Sequence, residues 1–209
     1  MNFLALIMYL VIMGITPGPN NLVLASSGVN FGFSRTVPAL MGMALGLGVQ
    51  VGAITLLLGS LVAWITAIQI WLALAGCLYL LWLAWGMAHA GRPGEARAAR
   101  PIGFVGGVLF NWLNPKVWLM GFNITMVFLP SGMDPWRAAL LFSVATFATS
   151  LPCIAVWAGG GVVIARFLHS PLRLRAFNCT MAAMLTATAV WLLVQMLPAD
   201  SFAAIQGMV

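Results

Sequence analysis

Lys116, the single lysine of this 209-residue chain, lies in the run Phe110-Asn111-Trp112-Leu113-Asn114-Pro115-Lys116-Val117-Trp118-Leu119-Met120, with apolar residues continuing on both sides. An ammonium in that setting can hold an anion, or it can release and regain a proton. At the centre of a bilayer the charge is unfavourable by about 2.5–3.5 kcal/mol on insertion scales, so such a residue normally faces a protein interior or a water-filled pathway. Its place near the middle of the stretch argues against snorkelling to an interface. No resident carboxylate answers it, because the three acids, Glu95, Asp134 and Asp200, fall in connectors or in the tail. Lys116 therefore either meets an anionic group brought by a substrate or takes part itself in proton coupling. Asn111 and Asn114 precede it closely and can line the same site; Asn123 shares its helical face if the helix resumes regularly.

The Asn114-Pro115 step predicts a broken helix, because proline lacks an amide N–H and clashes with the preceding turn. A second interruption, Thr16-Pro17-Gly18-Pro19-Asn20-Asn21, occupies the matching place in the first half of the chain. There two prolines and a glycine free several carbonyls and amides from helical pairing. Non-helical backbone at membrane depth is tolerated only where protein or water supplies new partners. Asn20 and Asn21 either supply them or contact a polar ligand. Two interruptions at corresponding positions, one of them beside a cation, point to a transporter binding site. The candidate substrate-binding residues are accordingly Pro17, Gly18, Pro19, Asn20, Asn21, Asn111, Asn114 and Lys116.

These residues need apolar elements to position them, and the composition provides little else. The chain is 63% hydrophobic and 6% charged, against about 25% charged in a soluble domain, so the class is a polytopic membrane protein. The net charge of +6 does not indicate nucleic-acid binding, since the basic residues stand singly or in small groups between apolar stretches. A spanning helix needs about 20 predominantly apolar residues, and the sequence predicts six such spans, at roughly 3–27, 37–61, 68–88, 103–129, 136–165 and 176–197. The connectors after the first, third and fifth hold Arg35, then Arg92, Arg97 and Arg100, then Arg166, Arg173 and Arg175; the opposite set holds only Arg137. The positive-inside rule then puts the arginine-rich loops in the cytoplasm and both termini outside. The predicted fold is an all-α integral membrane protein, one domain over 1–209, with six transmembrane helices as two inverted three-helix repeats (about 1–90 and 101–198) and the first and fourth helices broken. The N-terminal stretch lacks the basic start of a signal peptide and reaches spanning length, so it is expected to be retained.

Other residues read as structural. Gly42-Met43-Ala44-Leu45-Gly46 matches the small-xxx-small pattern of close helix packing, with a dimer face as the lesser reading. Tyr79, Trp82 and Trp85 approach the end of a span as interfacial anchors. Gln50 is an amide in a span and needs a partner, protein or substrate. His89 and His169 fall in connectors. Cys77, Cys153 and Cys179 stand alone and form no CxxC, so neither a metal site nor a redox framework is read from them. No nucleotide-binding or hydrolase signature occurs in a plausible setting, which argues against an ATP-driven pump and against an enzyme.

Taken together, Thr16-Pro17-Gly18-Pro19-Asn20-Asn21, Gly42-Met43-Ala44-Leu45-Gly46, Ala75-Gly76-Cys77-Leu78-Tyr79-Leu80-Leu81-Trp82-Leu83-Ala84-Trp85 and Asn114-Pro115-Lys116 resemble the lysine-exporter and homoserine/threonine-exporter family of amino-acid efflux proteins over nearly the whole chain. The first span, with Ser26-Ser27 after its break, is similar to the cysteine and O-acetylserine exporters within that family. The resemblance implies a secondary exporter of amino acids or close derivatives in the bacterial inner membrane, driven by the proton motive force, dimeric and without a cofactor. With no acid in the spans, a dibasic amino acid would lack a side-chain partner, so small neutral amino acids are the expected substrates. The working picture puts the substrate carboxylate on Lys116 and its ammonium on freed carbonyls and on Asn20, Asn111 and Asn114. A heavy-metal cation exporter is the alternative, although three scattered cysteines make a poor ligand set; a thiol-disulfide oxidoreductase would need two cysteines facing each other near the breaks.

Overall fold

Inside lipid a backbone amide has no water to turn to, so each segment must satisfy its own hydrogen bonds, and helices result. The computed structural model describes residues 2–89, 101–168 and 170–196. Every regular element among them is helical: α1 (Phe3–Ile15), α2 (Pro19–Phe31), α3 (Phe33–Ala88), α4 (Phe104–Leu113), α5 (Pro115–Phe128), α6 (Pro135–Ala165) and α7 (Pro171–Met196). The Phe33–Leu58 portion of α3 and the whole of α6 are each long and apolar enough to cross a membrane, and α1 with α2 meets the same standard as one unit bent by 53°. Leu74–Ala88 and Phe104–Leu113 are shorter apolar helices. The arginines expected in the second cytoplasmic connector (Arg92, Arg97, Arg100), together with Glu95, His169 and Asp200, lie outside the described residues.

The expected connector at 62–67 falls inside α3, whose helical run extends over 56 residues. The sequence there, Val62-Ala63-Trp64-Ile65-Thr66-Ala67, holds no glycine, proline or asparagine to end a helix. A straight helix of that length would measure about 84 Å, yet both of its ends pack on α4. Gly46 approaches Val108 while Gly76 approaches Leu113, so points about 45 Å apart along a straight α3 meet points about 7.5 Å apart along α4. The two ends of α3 therefore run beside each other, and the chain turns back between Gly46 and Gly76, the stretch that holds 62–67.

Close glycine contacts set the packing. A Cβ at Gly42 would collide with the Phe104 carbonyl, and one at Gly107 with the Ala39 carbonyl, so α3 and α4 touch backbone to backbone. The second pair is α2 with α6, where Gly28 lies against the Ala158 carbonyl and Gly161 against that of Ala25. Such close approach is how membrane helices gain contact area without a hydrophobic driving force between them. Polar ties add to it: Asn30 and Asn178 exchange amide hydrogen bonds between α2 and α7 (3.0 and 3.2 Å), Ser27 meets Thr36 at 2.8 Å, and Thr55 meets Thr125 at 3.0 Å.

Two apolar clusters result. One gathers Leu22, Leu40, Met43, Phe110, Ile154 and Leu185; the other gathers Leu6, Leu10, Leu47, Val117, Ile124 and Phe142. The two helix breaks lie where these clusters meet.

Candidate functional site

Four carbonyls at the end of α1, those of Met13 to Thr16, lose their helical partners because the chain turns at Pro17-Gly18-Pro19, and three of them find others. Ile15 would have bonded the amide of residue 19, which in proline does not exist. Its carbonyl instead accepts from Trp157 Nε1 on α6 at 3.2 Å. Gly14 and Thr16 are both answered by Asn21 Nδ2, at 2.9 Å each. The Thr16 carbonyl also accepts from Lys116 Nζ at 3.1 Å. The ammonium thus rests on the C-terminal, negative end of the α1 dipole.

The second break is repaired in the same manner. Pro115 offers no N–H to the Asn111 carbonyl, which accepts from the Asn114 amide at 3.1 Å instead. Asn114 Oδ1 caps α5 by accepting from Lys116 N at 3.0 Å, and Val117 N reaches the Asn114 carbonyl at 3.0 Å. The Trp112 carbonyl, deprived of the Lys116 amide, accepts from Trp118 Nε1 at 2.8 Å. With its amide oriented by its neighbours, Gln50 donates to the Asn111 carbonyl and accepts from Trp118 Nε1, both at 3.2 Å; the partners it needed are protein groups.

A chain of buried asparagines joins the two breaks. Asn114 Nδ2 donates to Asn20 Oδ1, Asn20 Nδ2 to Asn111 Oδ1, and Asn111 Nδ2 to the Met43 carbonyl, all at 2.7 Å. Four helix segments are tied by three short bonds. Each such bond is worth about 0.5–1.5 kcal/mol net, whereas a buried group left unpaired costs about 1–3 kcal/mol.

The start of α2 is left open. Gly18 is its N-cap and has no side chain to cap with, and Pro19 fills the first helical position. Leu22 N bonds the Gly18 carbonyl at 3.0 Å, but the backbone N–H groups of Asn20 and Asn21 have no partner among the described residues. Lys116 lies across this open end: a Cβ at Gly18 would stand 3.1 Å from its Nζ and 3.2 Å from its Cδ. Glycine is needed for space, since its φ of −173° is extended backbone open to any residue.

A cavity of about 40 Å³ opens here, room for roughly three waters at 10–15 Å³ each. Of the candidate residues, Gly18, Pro19, Asn20, Asn21, Asn114 and Lys116 line it, while Pro17 and Asn111 stand outside the lining. The rest of its wall is mainly apolar, from Met13, Leu47, Val117, Met120 and Ile154, with Ser150 as a further polar member. Asn123 is exposed elsewhere, donating to Tyr9 Oη at 3.4 Å.

Among the described residues two buried side-chain polar atoms have no hydrogen-bond partner: Asn21 Oδ1 and Thr146 Oγ1. Sequence reasoning did not single out Thr146, Ser150 or Trp157. The available signal was two hydroxyl residues four apart on one face of an otherwise apolar span. Among the described residues no three of His, Cys, Asp and Glu come together. Cys77 is buried, Cys153 half-buried and Cys179 exposed, all with free thiols. Trp82 and Trp85 are exposed along the C-terminal part of α3, where aromatic anchors would meet lipid.

Residues 11–196 match the family described as LysE type translocator. The cysteine/O-acetylserine efflux protein of Klebsiella pneumoniae subsp. pneumoniae is 30% identical over 195 residues, which cover 91% of this chain and 96% of that protein. Proteins of the same name from Salmonella typhimurium and Escherichia coli are 32% and 31% identical over 121 residues, covering 58% of this chain and 62% of theirs. No solved structure matches the chain.

Proposed function

Because the chain belongs to the LysE type translocator family, we propose that it is a secondary transporter that exports small neutral amino acids or their derivatives across the inner membrane, coupled to protons. The relatives' names place cysteine and O-acetylserine first among the substrates to try. The observation that carries the reading is the pairing of Lys116 with the uncapped N-terminus of α2. An ammonium and two free N–H groups converge on one cavity, and a helix N-terminus favours negative charge. A substrate carboxylate fits there. In its absence Lys116 rests on the Thr16 carbonyl, a neutral partner that an anion outcompetes.

Each candidate residue has a part in this mechanism. Pro17, Gly18 and Pro19 open the helix and expose its amides, and Asn20 and Asn21 present them. Asn111 and Asn114 brace the break through the asparagine chain, so the free polar atoms for the substrate lie elsewhere. Lys116 binds the carboxylate and is also our candidate proton carrier, since α1, α2, α4, α5 and α6 hold no acid or histidine.

The repeat reading rests on paired repairs. Each break ends in a proline-started helix, each hands a freed carbonyl to a tryptophan N–H, and α1 and α2 lie along α6 as α4 and α5 lie along α3. We read these as two inverted three-helix repeats (about 1–90 and 101–198) forming six spans, with both termini outside and the arginine-rich loops cytoplasmic. Rocking of one repeat against the other would expose the site to alternate sides; a homodimer is the expected assembly.

The test is efflux of a panel of labelled amino acids from proteoliposomes, comparing wild type with Lys116→Met at matched reconstitution. Loss of export by a variant that still folds supports the carboxylate site. Export at wild-type rate would place the site away from Lys116.

A further inference from the structure

We propose that Asn21, Ser150 and Thr146 form the subsite that receives the substrate's α-ammonium. The inference rests on the carboxylate reading above and completes it, because a zwitterion presents two charged ends and Lys116 with the α2 amides serves only one.

An ammonium is a donor of three hydrogen bonds and needs acceptors with lone pairs to spare. The side-chain oxygens of Asn20, Asn111 and Asn114 are each already accepting from a neighbour. The freed carbonyls of Gly14, Ile15 and Thr16 are likewise occupied, by Asn21, Trp157 and Lys116. Of the side-chain acceptors that carry no hydrogen bond at all, a short set remains. Asn21 lines the cavity, is 3% exposed, and has a side-chain oxygen with no partner. Its Nδ2 is fixed on two α1 carbonyls, so the orphaned oxygen is held in place. Ser150, 3% exposed, lines the same cavity from α6 and makes no hydrogen bond among the described residues. Thr146 lies one turn earlier on α6, behind Ser150 and outside the cavity lining, fully buried and with its hydroxyl oxygen also unpartnered. Buried polar groups in native proteins are nearly always satisfied, so the unpartnered oxygens of Asn21 and Thr146, with Ser150 in the cavity wall, point to a donor that arrives with the ligand.

All three groups are neutral. They suit a primary ammonium balanced by its own carboxylate and offer nothing to a second positive charge. The apolar wall of Met13, Leu47, Val117, Met120 and Ile154 is left for a small uncharged side chain. The substrate class is therefore an α-amino acid with a free amino group.

Competition in proteoliposomes of the full chain tests this. Cysteine and its des-amino analogue 3-mercaptopropionate, which keeps the carboxylate and thiol, are compared as competitors in wild type, Ser150→Ala and Thr146→Val. Wild type should prefer cysteine by about tenfold or more, the discrimination expected when a site built to bond an amino group meets an analogue without one. Both variants should weaken cysteine about tenfold and leave 3-mercaptopropionate unchanged. Thr146→Val should also raise the unfolding temperature, since it removes an orphaned buried hydroxyl without changing shape; a purely structural hydroxyl would not couple that gain to weaker cysteine binding. A wild type indifferent to the amino group, or variants that keep its preference, overturns the subsite. Lys116→Met separates the two readings: if that variant still binds 3-mercaptopropionate as wild type does, the carboxylate site is the part that fails.

Discussion

The two helix breaks use the same covalent device and reach opposite results. At Asn114-Pro115-Lys116 the residue before the proline is an asparagine, and its side chain caps the new helix by accepting from Lys116 N. At Gly18-Pro19-Asn20 the corresponding residue is a glycine, and the amides of Asn20 and Asn21 stay unpaired. Proline opens both helices, but the residue ahead of it decides whether the new helix start is capped or left with free donors. The closed break holds the geometry, through the asparagine chain and Gln50, while the open one keeps its donors free and lets Lys116 lie over it.

The sharpest way to break this contrast is to cap the open end. In Gly18→Asn the new side chain should accept from the amides of Asn20 or Asn21 and crowd Lys116. Export should fall to background while the unfolding free energy rises by about 1 kcal/mol, the usual worth of an N-cap. Gly18→Ala is the matched control: it adds a Cβ 3.1 Å from Lys116 Nζ but no cap, so it should lose part of the export rate with no gain in stability. Efflux assays paired with thermal unfolding separate the two. Equal loss in both variants would make crowding, not the free amides, the important property of Gly18.

A smaller effect, on stability, is expected from opening the closed break. Asn114→Ala removes the cap of α5, worth about 1 kcal/mol, and strands the buried Asn20 Oδ1, costing about 1–3 kcal/mol more. Denaturant unfolding in detergent should show a loss of about 2–4 kcal/mol. A loss below 1 kcal/mol would mean the asparagine chain does not brace the site.

The sequence revealed both breaks, the isolated cation and the lack of an acid to answer it, because proline, glycine and charge act locally and leave local signatures. It did not reveal that Asn20, Asn111 and Asn114 satisfy one another, since those partners stand 91 and 94 residues apart and meet only once the helices pack. Thr146, Ser150 and Trp157 were illegible for the same reason: nothing near them in sequence says which helix α6 faces. The expected turn at 62–67 came from span length alone, at a place where no residue favours leaving a helix: the helical run of α3 continues through it, yet both of its ends pack on α4, so the chain turns back between Gly46 and Gly76.

The smallest effect should come from the two tryptophans that mend the breaks, and it tests whether the repairs are equivalent. Trp157 serves the Ile15 carbonyl alone, at 3.2 Å, at an exposed position. Trp118 serves the Trp112 carbonyl at 2.8 Å and also faces Gln50, which is fully buried. Replacing either by phenylalanine removes one donor and keeps most of the ring. The first bond is exposed, so water entering at the break can take the freed carbonyl, and Trp157→Phe should cost less than about 1 kcal/mol. Trp118→Phe strands two acceptors away from water and should cost about 1–3 kcal/mol. Trp157→Phe should nevertheless have the larger effect on export, because Ile15 adjoins Thr16, whose carbonyl holds Lys116. A variant pair in which stability and transport fell together would mean the two breaks are one cooperative unit; opposite rankings in the two assays would show that the chain keeps its rigid brace apart from its working break.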